Sequence, residues 1–338
     1  MGLEKVIILG AGPSGAYLSR LLVDAGFNVE VFDVLEKLGL KPCGWGLPYT
    51  IEHVINLPED VILSKIKEYR VVVDESNEIY FKTRKTMGYI IDKPRFLSYL
   101  LEGVETNFGK VPSKEYMKGK MVVDARGHVF YSGRKINALQ VVVRGNWNED
   151  AVEAYYFSEL IGYGWLFPLS SREAKVGVGG EADWHILERY LLRILKMLKV
   201  KEIVRREGSP IANGGLIYPS HGYKIGEALG AVMPLTGEGI RPSLLTAKAL
   251  YDTVVNGRRF IDTLEATGLP FQIKVHMAVL SLLRKSAPEH RRKLWEITPP
   301  EFLVKIVSGE ISVRDLASLA FKHPRFMREL LKIGIMVR

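Results

Sequence analysis

Three glycines near the start of the chain have the spacing of a phosphate-binding turn. Gly10, Gly12 and Gly15 form G-x-G-x-x-G between the apolar run 6–9, a predicted buried strand, and the predicted helix 13–25. The first glycine permits a tight turn, the second lets a pyrophosphate approach the backbone, and the third lets the helix pack on the strand. The N–H groups at the start of the helix would bind the phosphates.

A carboxylate follows these glycines at the spacing that a dinucleotide site requires. The second predicted strand, residues 28–32, ends in Asp33, about 20 residues after the last glycine. A carboxylate in that place accepts hydrogen bonds from the adenosine ribose. Strand, glycines, helix, strand and acid occur in order, so the sequence predicts a bound dinucleotide rather than an ordinary glycine turn.

The loop that leaves the second strand carries the single cysteine of the chain. Residues 34–48 contain three glycines and two prolines, which predict an irregular loop. Such a loop runs along the carboxyl edge of the sheet, where the ligand lies, so Cys43 is expected beside the cofactor. Two interpretations stay open for Cys43: a chemical role of its thiol, or a small buried hydrophobic residue.

Composition narrows the protein class. The chain has 338 residues, enough for two domains, and its one cysteine and seven scattered histidines predict neither an intrachain disulfide nor a metal site. We find no apolar run of membrane-spanning length and no leader sequence, so we expect a cytoplasmic protein. The net charge of +9 suggests an anionic partner, and the scarcity of glutamine hints at a thermophile. Scattered basic residues without a recognition motif argue against nucleic acid.

The remaining elements follow from apolar periodicity. Strands are predicted at 69–73, 78–82, 88–91, 104–111, 121–125, 140–144, 153–157 and 175–178, the first three as an antiparallel insertion. Helices are predicted at 93–101, 187–200, 240–255 and through the basic segment 257–338, and a loop rich in glycine and proline at 208–221. This order predicts an α/β protein with interleaved units: a dinucleotide-binding domain (1–49, 90–134 and 210–257), an antiparallel-sheet substrate domain (50–89 and 135–209) and a C-terminal helical region (258–338).

Three motifs resemble those of the geranylgeranyl reductase family of FAD-dependent enzymes, which belongs to the wider aromatic-hydroxylase-like group. Residues 163–168 and 177–179, Y-G-W-L-F-P and G-V-G, are similar to the family signature Y-x-W-x-F-P…G-x-G. Residues 41–46 resemble its C-G-x-G loop beside the isoalloxazine, and 234–240 resemble its P-x-T-G-E-G-I. The resemblance covers roughly residues 1–256 and implies a Rossmann-like FAD-binding domain of the glutathione-reductase type.

The resemblance also implies roles for individual residues. The catalytic candidates are Cys43, Tyr163 and Trp165, and the substrate would contact Trp45, Tyr163, Trp165 and Phe167. FAD would contact Gly10, Gly12, Ser14, Gly15, Asp33, Cys43, Gly44, Gly46, Lys93, Val111, Ala125, Glu227, Pro234, Gly237, Gly239 and Ile240.

Three positions depart from the family pattern. Glu227 stands where the family has aspartate, so its carboxylate has one more methylene with which to reach the ribityl hydroxyls. Lys93 stands where arginine is usual, with Leu97 in place of an aspartate, and an ammonium does not reproduce a forked guanidinium. Arg126 interrupts the usual A-D-G after the strand 121–125.

The implied function is reduction of carbon–carbon double bonds in a geranylgeranyl chain on a lipid, such as an archaeal-type digeranylgeranylglycerophospholipid, or on a quinone. The electron donor, ferredoxin or NAD(P)H, stays open because the sequence has one dinucleotide fingerprint. Two alternatives remain: a flavin monooxygenase of an aromatic substrate, and a flavoprotein that binds lipid or a partner without catalysis.

A prenyl substrate in a bilayer suggests a second location, peripheral at the inner face of the membrane. Basic residues accompany apolar ones in the C-terminal helices: Arg284, Lys285, Arg291, Arg292, Lys293 and residues 322–338 beside Leu294, Trp295, Phe326, Leu330 and Leu331. One hypothesis is that such a helix lies on an anionic membrane surface. The alternative is that the helices cover the domain core with a solvated basic face.

Overall fold

The computed structural model describes residues 5–335, and the side chains of residues 5–329. Its strands are β1 (Val6–Leu9), β2 (Val29–Asp33), β3 (Gly46–Pro48), β4 (Ile62–Ile66), β5 (Glu68–Val73), β6 (Asn77–Lys82), β7 (Gly88–Ile91), β8 (Glu105–Phe108), β9 (Met121–Asp124), β10 (Lys135–Arg144), β11 (Ala151–Tyr156), β12 (Gly162–Pro168), β13 (Glu173–Gly180), β14 (Glu202–Ala212) and β15 (Tyr223–Lys224). Its helices are α1 (Pro13–Asp24), α2 (Lys93–Leu100), α3 (Lys114–Met117), α4 (Trp184–Met197), α5 (Ile240–Asn256), α6 (Phe260–Ala266), α7 (Leu269–Lys285), α8 (Pro288–Ile297), α9 (Pro300–Ser308), α10 (Val313–Lys322) and α11 (Pro324–Ile335).

A five-stranded parallel sheet holds the predicted dinucleotide motif. Its order is β15-β9-β1-β2-β8, and β1 lies at its centre with all four residues buried. Burial on both faces explains why β1 reads as a continuous apolar run. Helices α1 and α5 pack against each other and share the core with this sheet. The arrangement confirms the Rossmann-like prediction.

A seven-stranded sheet forms the second layer. Its order is β14-β10-β13-β12-β11-β5-β6, antiparallel except between β11 and β5. Helix α4 covers one face through Leu187, Leu191 and Ile194, which pack with buried valines of β10 and β13. The antiparallel sheet was predicted, but the parallel join of β5 to β11 was not. The boundaries of the three predicted units stay a prediction.

Two local predictions were wrong. The end of the irregular loop, Gly46–Pro48, is strand β3 of a small sheet β3-β7-β4, because β7 offers it an unpaired edge. Residues 208–212 belong to β14 rather than to a loop. Proline is acceptable there because β14 is an edge strand, so the missing N–H of Pro210 breaks no second ladder.

Helices α6 to α11 form the C-terminal region, as the sequence predicts. A core of Phe302, Ile306, Ile311, Leu319 and Phe326 holds α9 to α11 together. Within residues 5–335 no single helix is long and apolar enough to cross a membrane. Helices α6 and α7 together have the required length and hydropathy, but a bend of 71° separates them.

Candidate functional site

One cavity of about 860 Å³ connects the carboxyl edge of the parallel sheet with the C-terminal helices. All predicted site residues line it except Gly15, which packs behind the turn. The residues selected from the sequence therefore line one cavity although they are up to 230 positions apart, as Gly10 and Ile240 are. Their roles stay predictions, but their common location is a property of the fold.

The three glycines of the turn have different surroundings. Gly10 has φ +111°, and a Cβ there would lie 2.4 Å from the carbonyl oxygen of Ala125. A Cβ on Gly15 would lie 1.9 Å from the carbonyl oxygen of Gly10, so this glycine lets α1 pack on the turn. A Cβ on Gly12 would meet no atom within 4 Å. Gly12 therefore leaves space over the start of α1 that the protein itself does not fill.

Asp33 lies beside this turn, where the ribose is expected. Its Oδ2 accepts a hydrogen bond from the Ala11 N–H at 2.7 Å, and its Oδ1 accepts one from the Leu35 N–H at 2.8 Å. These bonds fix the carboxylate at the rim of the cavity. Val34 and Val111 line the same rim with 65% and 70% of their surface exposed, an apolar contact surface of the kind that a planar base covers.

Donors from other strands hold the loop that carries Cys43. The Cys43 carbonyl accepts hydrogen bonds from Lys175 Nζ at 2.7 Å and Gln140 Nε2 at 3.1 Å, and the Lys41 carbonyl accepts one from Lys93 Nζ at 3.1 Å. Trp45 has φ +70°, a strained value for a residue with a side chain. These bonds stabilise the strained loop and present the half-buried Cys43 to the cavity.

Lys175 is a site residue that the sequence analysis missed. It lies on β13 with 1% of its surface exposed, and its Nζ lies 3.4 Å from the centre of the Trp45 ring. Burial lowers the pKa of its ammonium to about 8. A lysine within an otherwise apolar strand could have indicated this site residue in the sequence, because a charged residue is rarely buried without a partner or a function.

The positions that depart from the family pattern are paired within the site. Burial opposes the charge of the Glu227 carboxylate, but the ion pair with Lys41 outweighs it, so the pKa of Glu227 is lowered. Glu227 Oε1 also accepts from the Ala212 N–H at 3.0 Å. Arg126 Nε donates to Asp124 at 2.9 Å. Burial lowers the pKa of Lys93, because the enclosed ammonium loses its hydration, and its Nζ donates to the Lys41 carbonyl.

The aromatic signature has a steric cause. In the register of β12 and β13, Trp165 lies opposite Gly177 and Tyr163 opposite Gly179. A Cβ on Gly177 would lie 2.3 Å from the Trp165 ring, so glycine makes room for the indole. The Phe167 ring lies over Gly44 in the same way, 2.8 Å from where a Cβ would be. The glycines and aromatic residues of both motifs are therefore one packing unit.

The aromatic side chains form a continuous row along the cavity. The distance between ring centres is 3.9 Å for Trp295 and Tyr156 and 5.6 Å for Tyr156 and Tyr163. It is 5.9 Å for Tyr163 and Trp165 and 6.3 Å for Trp165 and Phe167. Tyr163 donates to the Thr236 carbonyl, and burial raises its pKa, so it keeps its proton. The Trp165 Nε1–H is buried and has no acceptor within the described part of the chain.

Glu238 is a second acid that the sequence analysis did not select, although it lies inside the quoted P-x-T-G-E-G-I motif. It lines the cavity and forms an ion pair with Arg241 at 2.9 Å, both side chains being buried. Burial raises the pKa of Glu238 despite this neighbouring guanidinium. Its distance in sequence from Tyr163 concealed that both groups border one cavity.

The C-terminal helices close the far end of the cavity. Leu294 and Trp295 of α8 and Phe326 of α11 line it, together with Val279, Leu280, Leu283, Phe302 and Ile306. Arg291 is buried as well. The apolar residues of the membrane hypothesis therefore face the cavity, whereas Arg292 and Lys293 are exposed, and contact with a membrane stays a prediction. The side chains of Leu330 and Leu331 and residues 336–338 lie outside the described part.

The parallel sheet, the open glycine turn and the shaped loop together define a dinucleotide-binding protein with the fold of the flavin oxidoreductases. No family model matches the chain. The geranylgeranyl diphosphate reductase of Rhodobacter capsulatus is 25% identical over 279 residues, 69% of this chain and 70% of that protein. The digeranylgeranylglycerophospholipid reductase of Methanococcus vannielii is 27% identical over 285 residues, 70% of this chain and 72% of that protein.

A solved structure shows the same fold. The geranylgeranyl bacteriochlorophyll reductase-like protein of Thermoplasma acidophilum superposes with a TM-score of 0.75 and 20% identity, over 98% of this chain and 100% of that one. These similarities confirm the resemblance to geranylgeranyl reductases that the sequence predicted. They also extend it through the C-terminal helices, which the motifs did not cover.

Gly12 and Gly15 provide a matched pair of variants. Gly12→Val adds a side chain only to the open space over α1, where the backbone is extended (φ −74°, ψ −177°), so we expect loss of the bound flavin and the melting temperature of flavin-free wild type. Gly15→Ala forces a Cβ against backbone, so we expect a lower melting temperature, by several degrees. Calorimetry and the absorption spectrum of each purified variant check this. Yellow Gly12→Val protein with full flavin content would contradict the assignment of the turn.

Lys175 predicts a defined pH dependence of stability. Its pKa is about 8 in the folded protein against 10.5 ordinarily, so the cost of the buried charge is fully present below about pH 8 and is relieved as the pH rises towards 10.5. We expect wild type to gain about 1–2 kcal/mol relative to Lys175→Met between pH ~8 and ~9.5. Urea unfolding at several pH values measures the difference, and parallel curves for both proteins would refute it.

Proposed function

We propose that the protein is an FAD-dependent reductase of carbon–carbon double bonds in an isoprenoid chain. The observation that carries this proposal is the continuity of one cavity from the open glycine turn, past Cys43 and the aromatic row, into an apolar arm under α7 to α9. A dinucleotide fits the first part and a long apolar chain fits the last. The named reductases to which the chain is similar support the same activity.

The residues present fit FAD. The space over Gly12 would receive the pyrophosphate, Asp33 the ribose and Glu227 the ribityl hydroxyls, while the loop of Cys43 and residues 234–240 would border the flavin ring. When bound, FAD supplies a hydride to the substrate. The backbone N–H groups at the start of α5 would stabilise negative charge beside them.

The chain itself positions the substrate and excludes water. Tyr163, Trp165 and Phe167 form a flat apolar wall, and the buried core of α9 and α11 closes the arm, so a bound chain is held in a dry, fixed geometry. A proton must also reach the substrate. The Tyr163 phenol carries a proton at the cavity, since burial raises its pKa, and the Cys43 thiol is a second source; burial also raises the pKa of the Glu238 carboxyl.

The alternatives fit the cavity less well. A compact aromatic substrate of a monooxygenase has no use for the apolar arm. A flavoprotein without catalysis was motivated by Glu227, Lys93 and Arg126, but each of the three forms a hydrogen bond with another residue, which supports a formed site. We propose that the substrate is a prenylated lipid or quinone and that ferredoxin or NAD(P)H supplies electrons. The three predicted domains, with the second supplying the substrate wall, are part of this proposal.

An exposed face of α10, within the predicted basic C-terminal region, carries apolar and basic side chains together. Val313 and Phe321 of α10 are 69% and 89% exposed, and Arg314 and Lys322 flank them. We propose that this face of α10 reaches the headgroup region of an anionic cytoplasmic leaflet, from which a prenyl lipid would be taken.

Reduction of a prenyl chain tests the proposed activity. Purified protein should be yellow and, after anaerobic reduction with dithionite, should add two hydrogen atoms for each double bond of geranylgeranyl diphosphate, as seen by mass spectrometry. Gly12→Val is the matched control and should leave the substrate unchanged. Flavin-loaded protein that reduces no prenyl compound, charged or neutral, would refute the proposal.

Vesicle co-sedimentation tests the membrane surface. Phe321→Ser removes the most exposed aromatic side chain, so we expect about tenfold weaker binding to vesicles containing phosphatidylglycerol, with unchanged stability. Tyr80→Ser is the control, because Tyr80 is also exposed, 61%, but lies on β6. Binding that ignores Phe321, anionic lipid and salt would rule this surface out.

A further inference from the structure

Arg291 is a buried cation to which nothing above assigns a role. It lies on α8 with 9% of its surface exposed and lines the apolar arm of the cavity. Within the described side chains it takes part in no hydrogen bond or ion pair, and its Nε is inaccessible and unpartnered. A guanidinium carries five N–H donors and is normally buried only beside acceptors.

No carboxylate among the described side chains contacts the Arg291 guanidinium: Glu289 attracts it electrostatically without a hydrogen bond, and Glu159 accepts from Tyr190 instead. Glu289 is the nearest carboxylate in sequence, but it is exposed and two residues away on the same helix, where side chains do not face each other. Tyr190 contributes a phenol that is neutral near pH 7, since burial raises its pKa. Burial lowers the pKa of Arg291 itself, which reflects the same lack of a partner.

The position of Arg291 relates it to the reaction site. Trp295 lies four residues later on α8 and therefore on the same face of the helix. From Trp295 the aromatic row continues through Tyr156 to Tyr163 and the loop of Cys43. A chain that follows this row has one end at the flavin site and the other near the guanidinium.

We propose that Arg291 binds the phosphate end of the prenyl substrate and so selects anionic prenyl compounds over neutral ones. The inference rests on the proposed function and deepens it. The planar fork of arginine matches two phosphate oxygens, and a dry apolar arm strengthens that contact. The phosphate belongs either to a prenyl diphosphate or to a prenylated glycerophosphate, and the chemistry at Arg291 is the same for both.

Binding to the flavin-loaded protein, measured by titration calorimetry, tests the assignment. The probes are geranylgeranyl diphosphate, geranylgeraniol, digeranylgeranylglyceryl phosphate and digeranylgeranylglycerol. We expect Arg291→Gln to weaken binding of the phosphates about 10- to 100-fold and to leave the two alcohols unchanged. Arg291→Lys should lie between, since it keeps the charge without the fork. The phosphate that loses more affinity identifies the source of the headgroup.

Arg292→Gln is the matched control, because Arg292 is the next residue, exposed, and in weak ion pairs with Asp74 and Glu296 at 4.0 and 3.7 Å. It should bind all four probes like wild type. The melting temperature of unliganded Arg291→Gln should be equal or higher, because an unpaired buried charge has been removed.

Two results would overturn the inference. One is an unchanged preference for phosphates in Arg291→Gln, and the other is a lower melting temperature with equal weakening of all four probes, which marks a structural residue. If wild type reduces geranylgeraniol and the diphosphate equally well and Arg291→Gln does the same, the inference fails while the proposed function stands. If wild type reduces none of the probes, both fail.

Discussion

The close approach of the loop of Cys43 to the seven-stranded sheet is the constraint on which the site depends. Gly44 accepts the Phe167 ring where a Cβ would clash, and Lys175 and Gln140 bind the Cys43 carbonyl from below. These contacts join the dinucleotide layer to the substrate layer. Without them the strained backbone at Trp45 would have no compensation, and the thiol and the aromatic row would not face one cavity.

Buried charge is the second organising feature of the site. Glu227 pairs with Lys41 and Glu238 with Arg241, and the attraction outweighs desolvation for Glu227 but not for Glu238, whereas Lys175 and Arg291 have no carboxylate in contact within the described side chains. A buried cation without a paired anion lowers the stability of the folded protein, and such a residue is retained where it has a function. Lys175 donates a hydrogen bond to the backbone carbonyl of Cys43. Arg291 has no acceptor among the side chains of residues 5–329, and the proposed acceptor is the phosphate of the substrate.

The C-terminal helices close the cavity that begins at the glycine turn, and in the proposed function they enclose the long chain of the substrate. Their basic residues and amphipathic period suggested a membrane surface, but the apolar face is used to close the cavity through Leu294, Trp295 and Phe326. An amphipathic pattern predicts that one face of a helix is buried, but it does not identify the surface against which that face packs. The proposed membrane contact therefore lies on α10, whose Phe321 is exposed.

The sequence alone determined the local elements and the dinucleotide turn, because glycine spacing, strand burial and helix starts depend on neighbours a few residues away. It also brought together Cys43, Tyr163 and Glu227 through family motifs. It did not show that Trp165 and Gly177 face each other, that Pro210 lies on an edge strand, that Lys175 binds the Cys43 carbonyl, or that Glu238 and Arg291 border one cavity. Strand register and the packing of distant helices decide those contacts, and both depend on long-range pairing that a local pattern does not encode.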